Sequence, residues 1–203
     1  MKYADKSVKI FLDNLAAKTP VPGGGSVAAL TGALGCGLLS MVANFTMAKE
    51  GFNGYKERAK KALKSSEGLR RKLLDLVDKD IQAYEKLSKA LKMNKTKHVN
   101  LEPVFKKAVL PPVEVCLYTH KAATISLELS YAGNKSIVSD VYAAMYALDA
   151  AFDSALVNVR LNLKYIKDKK FVTEKSDICN SLHKDIKRLK TEVTSKAKER
   201  MFS

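Results

Sequence analysis

Residues 19–46 read TPVPGGGSVAALTGALGCGLLSMVANFT: two prolines and three consecutive glycines lead directly into a run of small and apolar side chains. No charged side chain lies between Lys18 and Lys49. A gap of that length raises the question of a membrane span. Thr31, Ser40, Asn44 and Thr46 interrupt it, however, and its amphipathic surroundings favour a buried helix from Ser26 to about Ala48 inside a soluble bundle. Gly32, Gly35 and Gly37, with Ala28, Ala29, Ala33 and Ala43, leave this helix little side-chain bulk. A glycine inside a helix costs about 1 kcal/mol relative to alanine, so a close neighbour must offset the loss, within the chain or across a two-fold axis between subunits. Just upstream, Gly23–Gly25 would expose unblocked N–H groups at the positive end of the helix dipole, a place for an anionic or carbonyl group. The bland alternative is a tight turn that needs positive φ.

Outward from this stretch the pattern is helical nearly throughout. Ser7–Lys18 carries Val8, Phe11, Leu12 and Leu15 as one apolar stripe. Tyr55 to about Met93 is long and charged, with Leu63, Leu69, Leu73, Leu76, Val77, Ile81, Tyr84 and Leu87 on a face that can be buried and a kink expected near Gly68. After the polar link MNKTKHVN, a helix is expected to run to Val109, stop at Pro111 and Pro112, and restart towards Tyr131. Gly133 and Asn134 break the chain. Ser136–Ile166 then carries Val141, Met145, Leu148, Phe152, Ala155 and Val159, and a lysine-rich helix spans Val172–Met201. No hairpin-bounded alternation or fixed-period repeat is present. The fold class is therefore all-α: a single domain over residues 1–203, a bundle of about six helices framed by two long central ones.

Composition bounds the function. The chain has 203 residues, 46% of them apolar, and a net charge of +15. That charge favours a polyanionic partner or a ligand bearing phosphates or carboxylates. Cys36, Cys116 and Cys179 are odd in number and far apart, which fits a reducing, cytoplasmic setting better than a disulfide framework. The start MKYADKSVKIFLDNL lacks the basic-then-apolar form of a secretory signal. His98, His120 and His183 have no carboxylate or cysteine at ligand spacing, so no metal is expected. Neither a nucleotide-binding GxxxxGK[ST] nor an esterase GxSxG occurs.

Two further clusters carry chemistry. In LVDKDIQAYEKL, Asp80 and Tyr84 are one turn apart at the border of the apolar face. A carboxylate held there should titrate high and suit general acid or base work; the commoner outcome is a solvated carboxylate paired with Lys79 or Lys86. In AGNKSIVSDVYAA, Ser136 or Ser139 could cap a helix whose first turn holds Asp140. Asn158 lies 18 residues beyond Asp140, about 27 Å along one helix, so the two cannot grip one ring within a subunit.

Together, FLDNLAAKTPVPGGGSVAAL, SMVANFT, VDKDIQAY, GNKSIVSD and the segment Asn158–Leu163 resemble the cyclodeaminase domain of formiminotransferase-cyclodeaminase and its standalone bacterial relative, methenyltetrahydrofolate cyclohydrolase. The resemblance covers most of the chain and implies an all-helical homodimer with a folate cleft near the subunit interface. It implies that Asp80 is the catalytic acid or base, that Gly23, Gly24, Gly25 and Ser26 border the ligand, and that Asn134, Ser139 and Asp140 form a second wall. Tyr84, where many relatives have phenylalanine, would offer an aromatic face to the substrate. No formiminotransferase domain is expected to precede this one, which puts the bifunctional role in doubt and tilts the expectation towards hydrolysis.

The implied reaction is hydrolysis of 5,10-methenyltetrahydrofolate to 10-formyltetrahydrofolate, the alternative being formiminotetrahydrofolate cyclodeamination with loss of ammonia. No cofactor, nucleic acid or membrane is expected. A polyglutamylated folate would give the positive charge a use, with Lys56, Arg58, Lys60, Lys61 and Lys64 as one candidate patch and Lys184, Lys187, Arg188, Lys190, Lys196 and Lys198 as another. The competitor from another class is a non-catalytic basic helical binding module, whose binding would collapse with salt and ignore folate.

Overall fold

The computed structural model describes residues 2–48, 53–97 and 99–203; His98 lies outside them. Six α-helices follow in order: α1 (Val8–Ala16), α2 (Gly24–Ala48), α3 (Asn53–Lys97), α4 (Glu102–Ala132), α5 (Val138–Leu163) and α6 (Lys169–Phe202), with short 3-10 turns at Tyr3–Asp5 and Lys135–Ile137. The all-α reading holds. The centre of the bundle is α2, with 13 of its 25 residues buried. It lies between α3 and α5, and α4 packs behind it. The expectation of two long central helices is corrected: the longest helices, α3 and α6, lie outside, and α6 buries only Cys179, Ile186, Leu189, Val193 and Ala197. Their low mean hydropathy suits one apolar stripe and a wetted remainder.

Both α3 and α5 run antiparallel to α2, and small residues set how closely they approach. A side chain at Gly32 would meet Thr119 Cγ2 at 2.9 Å and Leu73, and one at Gly35 would meet Leu148 Cγ at 2.9 Å and the Ala144 carbonyl at 3.2 Å. Those two glycines therefore offset their propensity cost by close packing, inside a single chain. Ser40 and Ser66 share a buried hydrogen bond of 2.9 Å that fixes the α2–α3 register midway. At the C-terminal end of α2, the Thr46 hydroxyl accepts the Asn134 N–H at 2.9 Å. Arg200 donates to the carbonyls of Ser130 and Gly133, tying α6 to the end of α4.

Several boundaries differ from expectation, each for a visible reason. The helix does not stop at Pro111 and Pro112; α4 runs through both, and both are buried. Pro112 leaves the Ala108 carbonyl without its helical donor, and Asn162 Nδ2 fills that place at 3.2 Å. Most of the link MNKTKHVN is helix, since α3 continues to Lys97, and it passes Gly68 without a break. Neither Ser136 nor Ser139 caps α5, whose N-cap is Ile137 without a side-chain bond; Asn134 instead accepts the Ser136 N–H. On α1, capped by Ser7, only Phe11 is buried, while Val8 (73%) and Leu12 are exposed. The predicted α5 stripe of Val141, Met145, Leu148, Phe152, Ala155 and Val159 is buried throughout.

The second lysine patch is largely neutralised within the fold. Lys187 binds Asp149 and Asp153 at 2.6 Å, Lys190 binds Asp149 at 2.5 Å, Arg188 binds Asp185 and Glu192, and Lys196 binds Glu199. Burial alone would push the Asp149 carboxyl up, but the two lysines hold it below its ordinary range.

The packing around α2 separates glycines that must be glycine from those that need not be. Gly35→Ala should lower unfolding free energy by about 1–3 kcal/mol through overpacking. Gly37→Ala, whose new methyl meets nothing nearer than Arg70 Cδ at 3.8 Å, should raise it by up to about 1 kcal/mol. Urea denaturation of the two variants checks the contrast, and equal effects would contradict it.

Candidate functional site

The glycine triplet sits at the N-terminus of α2, but helix begins at Gly24, two residues earlier than the sequence suggests. Gly24, Gly25 and Ser26 thus form the first turn. None of Gly23, Gly24 and Gly25 has positive φ, so a turn conformation does not explain them. Gly25 is explained by a neighbour: a Cβ there would overlap the carboxylate of Asp80 on α3. Only hydrogen at position 25 lets that carboxylate reach the helix end.

Asp80 is half-buried. Its Oδ2 accepts the Ser26 hydroxyl at 2.9 Å, and Ser26 itself is fully buried and also lies 3.4 Å from the Val77 carbonyl. The carboxyl thus occupies the place of an N-cap donated from another helix. Burial raises its pKa above the ordinary 3.8, partly opposed by the hydroxyl and backbone of Ser26. Among the described residues no lysine pairs with it; Lys79 binds Asp75 instead, at 2.8 Å. The outcome is a carboxyl biased towards accepting a proton at the mouth of a helix N-terminus, suited to general acid–base work.

Asp78, two residues away, has a different task. It is 6% exposed and accepts the N–H groups of Tyr3 at 2.6 Å and Ala4 at 3.3 Å. The more buried carboxylate of the pair therefore anchors the N-terminus to α3. Tyr84, one turn beyond Asp80, breaks with its predicted face: its ring is 42% exposed, free to meet a ligand.

The remaining predicted residues lie elsewhere. Asn134 is buried and occupied: its N–H bonds Thr46, its Oδ1 accepts from Ser136, and its Nδ2 lies 3.5 Å from the Phe45 carbonyl. Ser139 is exposed and Asp140 half-buried in the first turn of α5. This group adjoins Thr46, whereas Asp80 adjoins Ser26, and the 20-position step between them along α2 spans about 30 Å. As a second wall facing Asp80 within one protomer, Asn134, Ser139 and Asp140 are ruled out. The reason is the antiparallel register, which puts opposite ends of α2 beside the two motifs.

Near Thr46 a groove of about 1290 Å³ opens between α3 and α4, lined by Arg58, Lys61, Lys64, Lys72 and Lys121 with Glu128. Among the described residues Arg58, Lys61, Lys64 and Lys121 have no carboxylate partner. This half of the first basic patch is unneutralised, unlike the α6 cluster. Among the described residues no group of three or more His, Cys, Asp or Glu could hold a metal ion; His120 and His183 pair with Asp185 and Asp153. The three cysteines are free and buried.

Sequence reasoning missed Asn158 as a neighbour of the glycines. Its Nδ2 lies 3.7 Å from where a Gly24 Cβ would stand, and Ser154, one turn earlier on α5, donates to the Gly24 carbonyl at 3.5 Å. The Ser154/Asn158 spacing of one turn was visible, but the partner of that face was not.

Comparison with known proteins agrees with this architecture. Residues 7–181 match the family model described as formiminotransferase-cyclodeaminase. The methenyltetrahydrofolate cyclohydrolase of Methylorubrum extorquens is 30% identical over 178 residues, covering 84% of this chain and 86% of that one. The formimidoyltransferase-cyclodeaminase of Mus musculus is 29% identical over 190 residues, covering 90% of this chain but only 35% of the mouse protein. The solved formiminotetrahydrofolate cyclodeaminase of Thermotoga maritima superimposes with a TM-score of 0.91 at 32% identity, covering 96% of this chain and 97% of that one.

The environment of Asp80 gives a pH prediction with a definite sign. Because the folded-state pKa is raised, ionising Asp80 costs stability, and the cost grows as pH rises above the ordinary value of 3.8. Asp80→Asn, which keeps an oxygen for Ser26, should therefore raise the thermal unfolding midpoint at pH 7. That gain should shrink on acidification and vanish below about pH 3.8. A variant less stable than wild type at pH 7 would contradict the assignment.

Proposed function

This chain belongs to the formiminotransferase-cyclodeaminase family and is a folate one-carbon enzyme, and from that premise we propose that it hydrolyses 5,10-methenyltetrahydrofolate with Asp80 as the general base and acid. The observation that carries the reading is the half-buried Asp80 carboxyl at Gly25 and Ser26, with no lysine partner among the described residues. The substrate carries a cationic carbon bridging N5 and N10. Asp80 faces that cation, and its carboxylate takes a proton from the attacking water as the carbon–oxygen bond forms. The protonated carboxyl then returns the proton to N5 as the carbon–N5 bond breaks. Formation of the carbonyl releases the second water proton, leaving 10-formyltetrahydrofolate and a regenerated carboxylate.

A second reading rests on the fold match to a formiminotetrahydrofolate cyclodeaminase. The same carboxyl would protonate the departing ammonia as the bridge closes. Neither reaction calls on a cofactor, and the buried free thiols suit a cytoplasmic setting.

The site is completed by a second copy of the chain. α2 presents an uncharged outward stripe of Leu30, Leu34, Leu38, Met41 and Phe45, with Leu34 62% and Phe45 53% exposed. A stripe of this kind fits an isologous interface. Two copies of α2 packed antiparallel bring Asp80 of one protomer towards the Asn134–Asp140 corner and the basic groove of the other. The unpaired cations of that groove would then receive the carboxylates of a polyglutamylated folate.

Two measurements test this. Loss of the methenyltetrahydrofolate chromophore should be at least about 100-fold slower in Asp80→Asn than in wild type; equal rates remove Asp80 from the mechanism, and ammonia release from formiminotetrahydrofolate alone selects the second reading. Light scattering should show a dimer that Leu34→Glu with Phe45→Glu converts to an inactive monomer. A monomeric wild type with full activity would exclude the shared cleft.

A further inference from the structure

The resemblance places Ser26 along the ligand, yet its side chain is fully buried and out of a ligand's reach. The hydroxyl instead faces two acceptors on α3. Its Oγ lies 2.9 Å from Asp80 Oδ2 and 3.4 Å from the Val77 carbonyl. A hydroxyl carries a single hydrogen, so it donates to one of them at a time. The shorter bond goes to the carboxylate, whose charge strengthens it while Asp80 is ionised. Once Asp80 is protonated that advantage falls, and the Val77 carbonyl still offers the hydroxyl an acceptor. The pair therefore tolerates both charge states of Asp80 without stranding a buried polar group.

The same bond divides the work of the two carboxyl oxygens. Oδ2 is held by Ser26, whereas Oδ1 accepts from no side chain among the described residues and lies over Gly25, which has no side chain to cover it. Among the described residues no charged group competes for this control. On α3, Lys79 is bound to Asp75, Asp78 holds the N–H groups of Tyr3 and Ala4, and Tyr84 is a turn away. No charged side chain lies on α2, and α5 brings the uncharged Ser154 and Asn158 to this end. Burial, with the hydroxyl and backbone of Ser26 opposing it, is what shifts the carboxyl.

We propose that Ser26 is a positioning residue for the proton transfer: by holding Oδ2 it fixes the orientation of the Asp80 carboxyl and leaves Oδ1 as the atom that takes the proton from water and returns it to N5. This rests on the hydrolase reading above and adds to it the group that aims the base. Ser26 touches no part of the substrate, so its contribution belongs to kcat and not to KM. It acts only through Asp80, so its loss costs nothing further once that carboxylate is gone.

The test follows methenyltetrahydrofolate turnover as a function of pH in wild type, Ser26→Ala, Ser26→Cys, Asp80→Asn and the double variant Ser26→Ala with Asp80→Asn, with the thermal midpoint as a check on folding. In Ser26→Ala, kcat should fall about tenfold with KM within about twofold. The acid limb of kcat/KM, which reports the base in the free enzyme, should move up by about one pH unit on losing a donor to the anion. Ser26→Cys keeps a side chain of similar size and a weaker donor, so its limb should fall between the two. Adding Ser26→Ala to Asp80→Asn should change kcat by less than about twofold. A merely structural Ser26 would slow the Asp80→Asn enzyme as much as wild type and leave the acid limb in place. That result overturns the proposal, as does a raised KM with kcat unchanged. Active wild type with an unmoved limb in Ser26→Ala sinks Ser26 alone, whereas a wild type inert towards methenyltetrahydrofolate sinks the hydrolase reading and the part of Ser26 in it together.

Discussion

The contact between the Asp80 carboxylate and the first turn of α2 is the constraint on which the rest depends. It requires hydrogen at Gly25, a hydroxyl at Ser26 and an α3 that runs antiparallel to α2 in one register. Burial then raises the carboxyl's proton affinity while the helix end and Ser26 keep its charged form accessible. A carboxyl that is to take up and return a proton needs both influences. The fold supplies them with one aspartate and no metal ligand set among the described residues.

That register also puts two distinct polar clusters at opposite ends of α2. Along α2, the Asp80 carboxyl lies at Ser26, while the Asn134 corner and the α3–α4 groove, whose Arg58, Lys61, Lys64 and Lys121 have no carboxylate partner among the described residues, lie near Thr46. A bent ligand with a cationic ring system and a polyanionic tail has no single-protomer surface here that meets both needs. The apolar outward stripe of α2 joins the two ends. In the dimer proposed above, a two-fold operation along it would make one cleft from two half-sites.

Much of this was legible in the sequence because it depends on local pattern. The α5 stripe, the uncharged α2 and the steric meaning of its glycines follow from spacing and side-chain size. Asp80 was placed at the edge of the apolar face, and it lies there. The missed features depend on pairing between helices. Pro111 and Pro112 read as a break because Asn162, which satisfies the Ala108 carbonyl, is distant in sequence. The structural task of Asp78, which accepts the N–H groups of Tyr3 and Ala4, was not read from the sequence because those partners lie more than 70 residues away. Charge composition failed in the same way: the two lysine patches look alike as strings, yet the α6 cluster meets Asp149, Asp153, Asp185 and Glu192, while Arg58, Lys61 and Lys64 in the groove meet no acid among the described residues. Asn134, Ser139 and Asp140 were grouped with Asp80 by resemblance, as walls of a cleft near the subunit interface; within one protomer they lie at the opposite end of α2.

The central claim is that Asp80 holds its proton more tightly than an ordinary aspartate because the fold draws it against α2. Carbon-13 NMR titration of the aspartate carboxyls, with the Asp80 resonance identified by its absence from Asp80→Asn, measures this directly. The account predicts a midpoint clearly above 3.8 that moves higher still in Ser26→Ala, where the hydrogen bond favouring the anion is gone. A midpoint at or below 3.8, unmoved by loss of the Ser26 hydroxyl, would contradict it.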